Sequence, residues 1–125
     1  MADNLAIVQR AYEAFLQGDI RQVVDLLDPD IVWSVPRTVP HGGDFRGLSG
    51  VREFFCNVGA AWRPLDIELH TVGEIGPGLV AATATVSGTL AESEVSYGAV
   101  HVFTLVDGTI TRFQEYLDLD AALPG

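Results

Sequence analysis

The sequence predicts an α+β fold, with helices packed on one face of a curved antiparallel sheet. Three observations support this. Apolar residues first recur at helical spacing, at Leu5, Val8, Tyr12, Phe15 and Leu16, then at Ile20, Val23, Val24 and Leu27. From Pro64 onward the pattern changes to strand-like runs parted by Gly76-Pro77-Gly78 and Asp107-Gly108. Helices come first and strands later, the order of an α+β chain rather than of alternating βαβ units.

Asp3 or Asn4 can cap the first helix, and Gly18 suits the left-handed position just past its end. Asp19 starts a second, shorter helix with Gln22 in the reciprocal capping position, and Asp28-Pro29-Asp30 ends it. Ile31 to Pro36 reads as a short strand with Ile31, Trp33 and Val35 on one side. Residues 37 to 47 form a Pro/Gly loop of the kind that rims binding sites. Ser49 is a candidate cap for a third helix carrying Val51, Phe54, Phe55, Val58 and Trp62. Strands are expected over Leu65 to Ile75, over Leu79 to Leu90, and in a final hairpin that runs from Tyr97 to Asp118.

Two ionisable residues, His101 and Glu115, sit within the apolar runs of that hairpin, and its turn decides where they lie. A two-residue Asp107-Gly108 turn pairs His101 with Gln114 and puts Glu115 on the other face. A three-residue turn with Gly108 as a bulge places His101 opposite Phe113 and makes Glu115 its diagonal neighbour, with Cβ atoms roughly 6–7 Å apart. The second register is preferred. It gathers Ala99, His101, Phe103, Leu105, Thr111, Phe113, Glu115 and Leu117 on one face, and leaves Val100, Val102, Thr104, Ile110 and Tyr116 on the other. Apolar surface of that extent usually meets a partner, so a homodimer through the outer sheet face is expected.

At 125 residues the chain is expected to form one domain, residues 1–125. A net charge of −10 with only seven Lys plus Arg argues against nucleic acid and anionic membranes. No apolar run approaches the roughly 20 residues of a membrane span. The N-terminus lacks a basic segment followed by an apolar one, and a single cysteine, Cys56, excludes an intrachain disulfide framework. A cytoplasmic protein is therefore expected. His41, His70 and His101 have no metal-ligand spacing, and no phosphate-binding loop or nucleophile elbow is present, so neither a metal nor a cofactor is expected.

A histidine on an apolar strand is often just a satisfied core residue. The number of large rings favours a cavity instead, because a small curved sheet does not readily pack so many solid. His101 and Glu115 are thus the candidate catalytic pair. Tyr12, Trp33, Phe54, Trp62, Tyr97, Phe103 and Phe113 are the candidate substrate-binding residues. The expected ligand is a small hydrophobic metabolite, with His101 exchanging the proton and Glu115 orienting it or taking the second proton.

The succession IVQRAYEAFLQGD, VVDLLDPDIVW, the Pro40–Gly47 stretch PHGGDFRG, VREFF and HVFTLVDGTITRFQEYLD resembles the SnoaL-like proteins of the nuclear transport factor two-like superfamily. The resemblance spans nearly the whole chain. It implies a cystatin-like roll: a cone-shaped curved antiparallel sheet wrapped by three N-terminal helices and enclosing a pocket. Ketosteroid isomerases of that superfamily would have their functional residues at Ala11, Val35 and Val100, none of which can serve. SnoaL-like polyketide cyclases carry a His and an Asp on the last two strands, at positions matching His101 and Glu115, so here Glu stands for Asp. The implied function is cyclase, isomerase or hydrolase chemistry on a polyketide-like or other secondary metabolite. The alternative is a non-catalytic binder of a hydrophobic ligand.

Overall fold

The computed structural model describes residues 3–39 and 41–117. Helix α1 (Asn4–Leu16) is capped by Asp3, whose carboxylate accepts from the amides of Leu5 and Ala6. Gly18 follows it at φ +76°, the left-handed conformation that glycine adopts at no steric cost. The buried stripe is Val8, Ala11, Tyr12 and Ala14. Leu16, expected inside, is half-exposed. Helix α2 (Ile20–Asp25) starts where Asp19 accepts from the Gln22 amide.

Strand β1 (Leu27–Val35) begins four residues earlier than predicted, so Leu27 belongs to the sheet and not to the stripe of α2. Asp28 accepts from the Asp30 amide, and the register shifts between Leu27 and Val32, which carries the chain through Pro29 without breaking the strand. Ile31, Trp33 and Val35 all face the core, as predicted. The Pro/Gly loop hides a short strand, β2 (Gly43–Arg46), antiparallel to β1 with Trp33 opposite Phe45. Between β1 and β2 the chain folds back tightly. A Cβ at Gly42 would lie 1.9 Å from the Pro36 carbonyl oxygen, so only glycine fits beside His41. Helix α3 (Gly47–Ala61) starts two residues before the predicted cap Ser49 and has no side-chain cap. Val51, Phe54 and Val58 are buried along it.

Strands β3 (Trp62–Gly76), β4 (Leu79–Leu90), β5 (Ser93–Val106) and β6 (Thr109–Leu117) follow as successive antiparallel neighbours. The sheet has six strands in the order β2-β1-β6-β5-β4-β3, with β1 joining β6 in parallel. It is α+β, with the sheet curved and unclosed around the apolar core. No helix among the described residues is long and apolar enough to cross a membrane.

The β5–β6 hairpin departs from the preferred register in a way that shapes the site. Asp107 (φ +51°) and Gly108 (φ +82°) form a two-residue turn closed by the pair Val106–Thr109, as type I′ geometry requires. The bulge lies further along: Leu105 pairs with Ile110 but Thr104 with Arg112, leaving Thr111 unpaired, its hydroxyl donating to the Thr104 carbonyl. Ile110 thereby enters the core at 0% exposure instead of facing out, and Thr111 leaves the inner row. Beyond the bulge the faces are those predicted. His101 now stands directly opposite Glu115, where a diagonal placement was expected.

Candidate functional site

Three elements each bring one titratable side chain to a common point. Tyr12 lies on the buried stripe of α1, His101 on the inner face of β5, and Glu115 opposite it on β6. Their exposures are 6%, 3% and 8%, so water competes little for their bonds. The Tyr12 hydroxyl is 2.5 Å from His101 Nδ1, and His101 Nε2 is 2.8 Å from Glu115 Oε1. Burial first, and the Glu115 charge second, push the Tyr12 phenol above its ordinary range, so it keeps its proton. With a neutral imidazole both ring nitrogens are satisfied in one way: Tyr12 O–H donates to Nδ1, and Nε2–H donates to Glu115 Oε1. Phe103 and Phe113 meet the His101 ring edge-on and fix its plane.

This chain borders an apolar cavity beneath the sheet, about 70 Å³ of it open to the centres of water molecules. That is several times the roughly 10–15 Å³ one water needs. Every predicted site residue except Trp62 lines it. Trp33 stacks on Phe113 with centroids 4.1 Å apart and meets Phe54 at 5.4 Å, while Phe103 packs against Phe113 at 5.0 Å. Trp62, expected to contact ligand, lies behind the wall. Its indole N–H donates to His41 Nδ1 at 2.8 Å, and it is His41 that lines the cavity. Nothing periodic marks His41 in the sequence, because its position depends on a loop and on a partner 21 residues away.

Three buried polar atoms have no hydrogen-bond partner among the described residues: Glu115 Oε2, Tyr97 Oη and Trp33 Nε1. All three residues line the cavity. Buried polar atoms in native proteins are nearly always paired, so a cluster of three suggests a ligand that completes them. Burial, and to a lesser degree Glu115, raises the Tyr97 phenol, which also stays protonated. Burial holds His41 below its ordinary value, and the pull of Glu115 in the other direction does not reverse this. Among the described residues, no Lys or Arg lines the cavity.

A family model described as a SnoaL-like domain matches residues 8–113. An uncharacterized protein of Mycobacterium tuberculosis is 26% identical over 114 residues, covering 90% of this chain and 87% of its own. An NTF2-like protein of unknown function from Burkholderia pseudomallei superposes with a TM-score of 0.85 at 22% identity, covering 99% of this chain and 100% of that one. A putative SnoaL-like polyketide cyclase from Jannaschia sp. CCS1 gives a TM-score of 0.79 at 16% identity, covering 98% and 93%. At these identities the two solved structures speak to the fold alone, and both agree with the curved sheet described above. The family model covers most of the chain, from the helix carrying Tyr12 through His101 to Phe113, and on that ground the chain belongs to the SnoaL-like domain family.

Proposed function

We propose that the protein is a small-molecule enzyme that moves a proton at a carbon next to a carbonyl, in the manner of a cyclase or isomerase, on a small apolar metabolite. One observation carries this reading. Glu115 is held by His101 through one oxygen, while its other oxygen is buried, unpartnered and part of a residue that lines the cavity. Both ring nitrogens of His101 are engaged, so the proton exchange expected of His101 is assigned to Glu115 instead. Glu115 Oε2 takes the proton from the substrate carbon, whose electron pair moves onto the carbonyl oxygen to give an enolate. Glu115, now neutral, returns the proton to the same or a conjugated carbon, and the carboxylate is regenerated. His101 and Tyr12 position it. The likeness to the putative SnoaL-like polyketide cyclase from Jannaschia sp. CCS1 is consistent with such chemistry.

The test uses 2-indanone, a flat apolar ketone with acidic protons beside the carbonyl. In deuterated buffer, the protein is expected to accelerate loss of those proton signals over a protein-free control. Binding without acceleration, here and with one-ring enolisable ketones, would reduce the cavity to a binding site.

The reading includes a cytoplasmic homodimer. It is supported by the outer face of β5 and β6, where Val100, Val102 and Thr104 are half-buried and Tyr116 is 49% exposed. Sedimentation at micromolar concentration should give a dimer, and Val102→Glu should shift it to monomer. A wild-type monomer would contradict the assembly.

A further inference from the structure

The proton chain uses Tyr12, His101 and Glu115, and leaves His41 unexplained. His41 is 5% exposed and lines the same cavity. Its tautomer follows from its partner. An indole nitrogen can donate a hydrogen bond but not accept one, so His41 Nδ1 must offer its lone pair to Trp62 Nε1–H. A neutral His41 therefore carries its proton on Nε2, and a protonated ring would lose the Trp62 bond. Burial disfavours the charged ring as well. Phe54 and Trp62 pack edge-on against the imidazole, which limits its rotation. Among the described residues Nε2 has no partner, so it is an N–H donor held ready.

Two further donors share this condition. Trp33 Nε1–H and the Tyr97 hydroxyl are buried without partners and belong to residues lining the cavity. The cavity thus offers three donors, the Tyr97 hydroxyl able to accept as well, against one open atom that can only accept, Glu115 Oε2. A full positive charge is absent from its described walls, which disfavours a carboxylate or phosphate and favours an uncharged oxygen. The ring-rich walls favour a flat partner.

We propose that His41, held in its Nε2–H tautomer by Trp62, touches substrate and, with Trp33 and Tyr97, forms a subsite for a neutral carbonyl oxygen. The ligand class is a one- or two-ring apolar ketone, and an added hydroxyl on it could donate to Glu115. Trp62 is a positioning residue. This rests on the proton-transfer reading for its catalytic meaning, since a donor at that oxygen stabilises the enolate formed when Glu115 takes the proton. As a binding subsite it stands independently.

The experiment compares equilibrium binding of 2-indanone with that of indane, its hydrocarbon counterpart, by ligand-observed NMR. Wild type should prefer the ketone by about tenfold, as for one hydrogen bond in a dry site. His41→Leu should lose that preference while indane affinity stays within about threefold. Trp62→Phe should weaken the preference and mix the His41 tautomers in the ¹⁵N spectrum. Glu115→Gln should keep the preference, so an inactive protein with a His41-dependent preference sustains the subsite and defeats only the proton-transfer reading. Equal wild-type affinity for the two ligands would overturn the proposal. Should His41→Leu fail to fold, the wild-type ¹⁵N spectrum decides: a His41 Nε2 signal unmoved at saturating 2-indanone overturns it too.

Discussion

Glu115→Gln is expected to lower proton exchange on an enolisable ketone by about 10²–10⁴-fold, roughly 3–5 kcal/mol of barrier. Gln matches Glu in size and can still accept from His101 Nε2–H through its amide oxygen, so the hydrogen bond to His101 persists. What disappears is the basic oxygen that would take the proton. Ligand affinity should change little, because the aromatic walls and the His41 donor are untouched. A loss in rate with binding retained marks an interaction made in the transition state. Wild-type exchange in this variant would exclude Glu115 as the base.

His101→Ala is expected to destabilise the protein by about 3–5 kcal/mol, because it leaves the buried Glu115 carboxylate without its hydrogen-bond donor. Glu115 would keep its place opposite position 101 with neither oxygen satisfied, and the Tyr12 hydroxyl would lose its acceptor. Phe103 and Phe113 would also face a void where the ring stood. Replacing all three residues at once, by Tyr12→Phe, His101→Leu and Glu115→Leu, orphans no further polar atom and should cost far less. Urea unfolding measures both. A single variant within about 1 kcal/mol of wild type would show that the chain does not hold the folded state together.

Helices α1 and α2 and the last strands were legible because each has local punctuation: Asp3 and Asp19 as caps, Gly18 past the first helix, and Gly78 and Gly108 in turns. Strand β2 was not, because Gly-Asp-Phe-Arg is short and poor in strand formers and gains its bonds only beside β1. The parallel joining of β1 to β6 is equally non-local. In the hairpin, the Asp-Gly turn and the shared face of His101 and Glu115 are both readable, but the register preferred from sequence reconciles them by placing the bulge at Gly108. Ile110 and Phe113 held the missing signal. They are three apart, so both can be buried only if one residue between them drops out of alternation, and Thr111 does. At the site, the pair came from the sequence, whereas Tyr12 as third member, His41, and the withdrawal of Trp62 behind it depend on how helix and loop pack over the sheet.

A crystal structure of the wild-type protein with 2-indanone would test the central claim, that Glu115 Oε2 is the proton acceptor for a bound ketone. The account predicts the ligand in the cavity with an acidic carbon about 3–3.5 Å from Glu115 Oε2, and its oxygen turned away from that carboxylate. A ketone oxygen bonded to His101 Nε2 in place of Glu115, or a ligand bound outside the cavity, would contradict it.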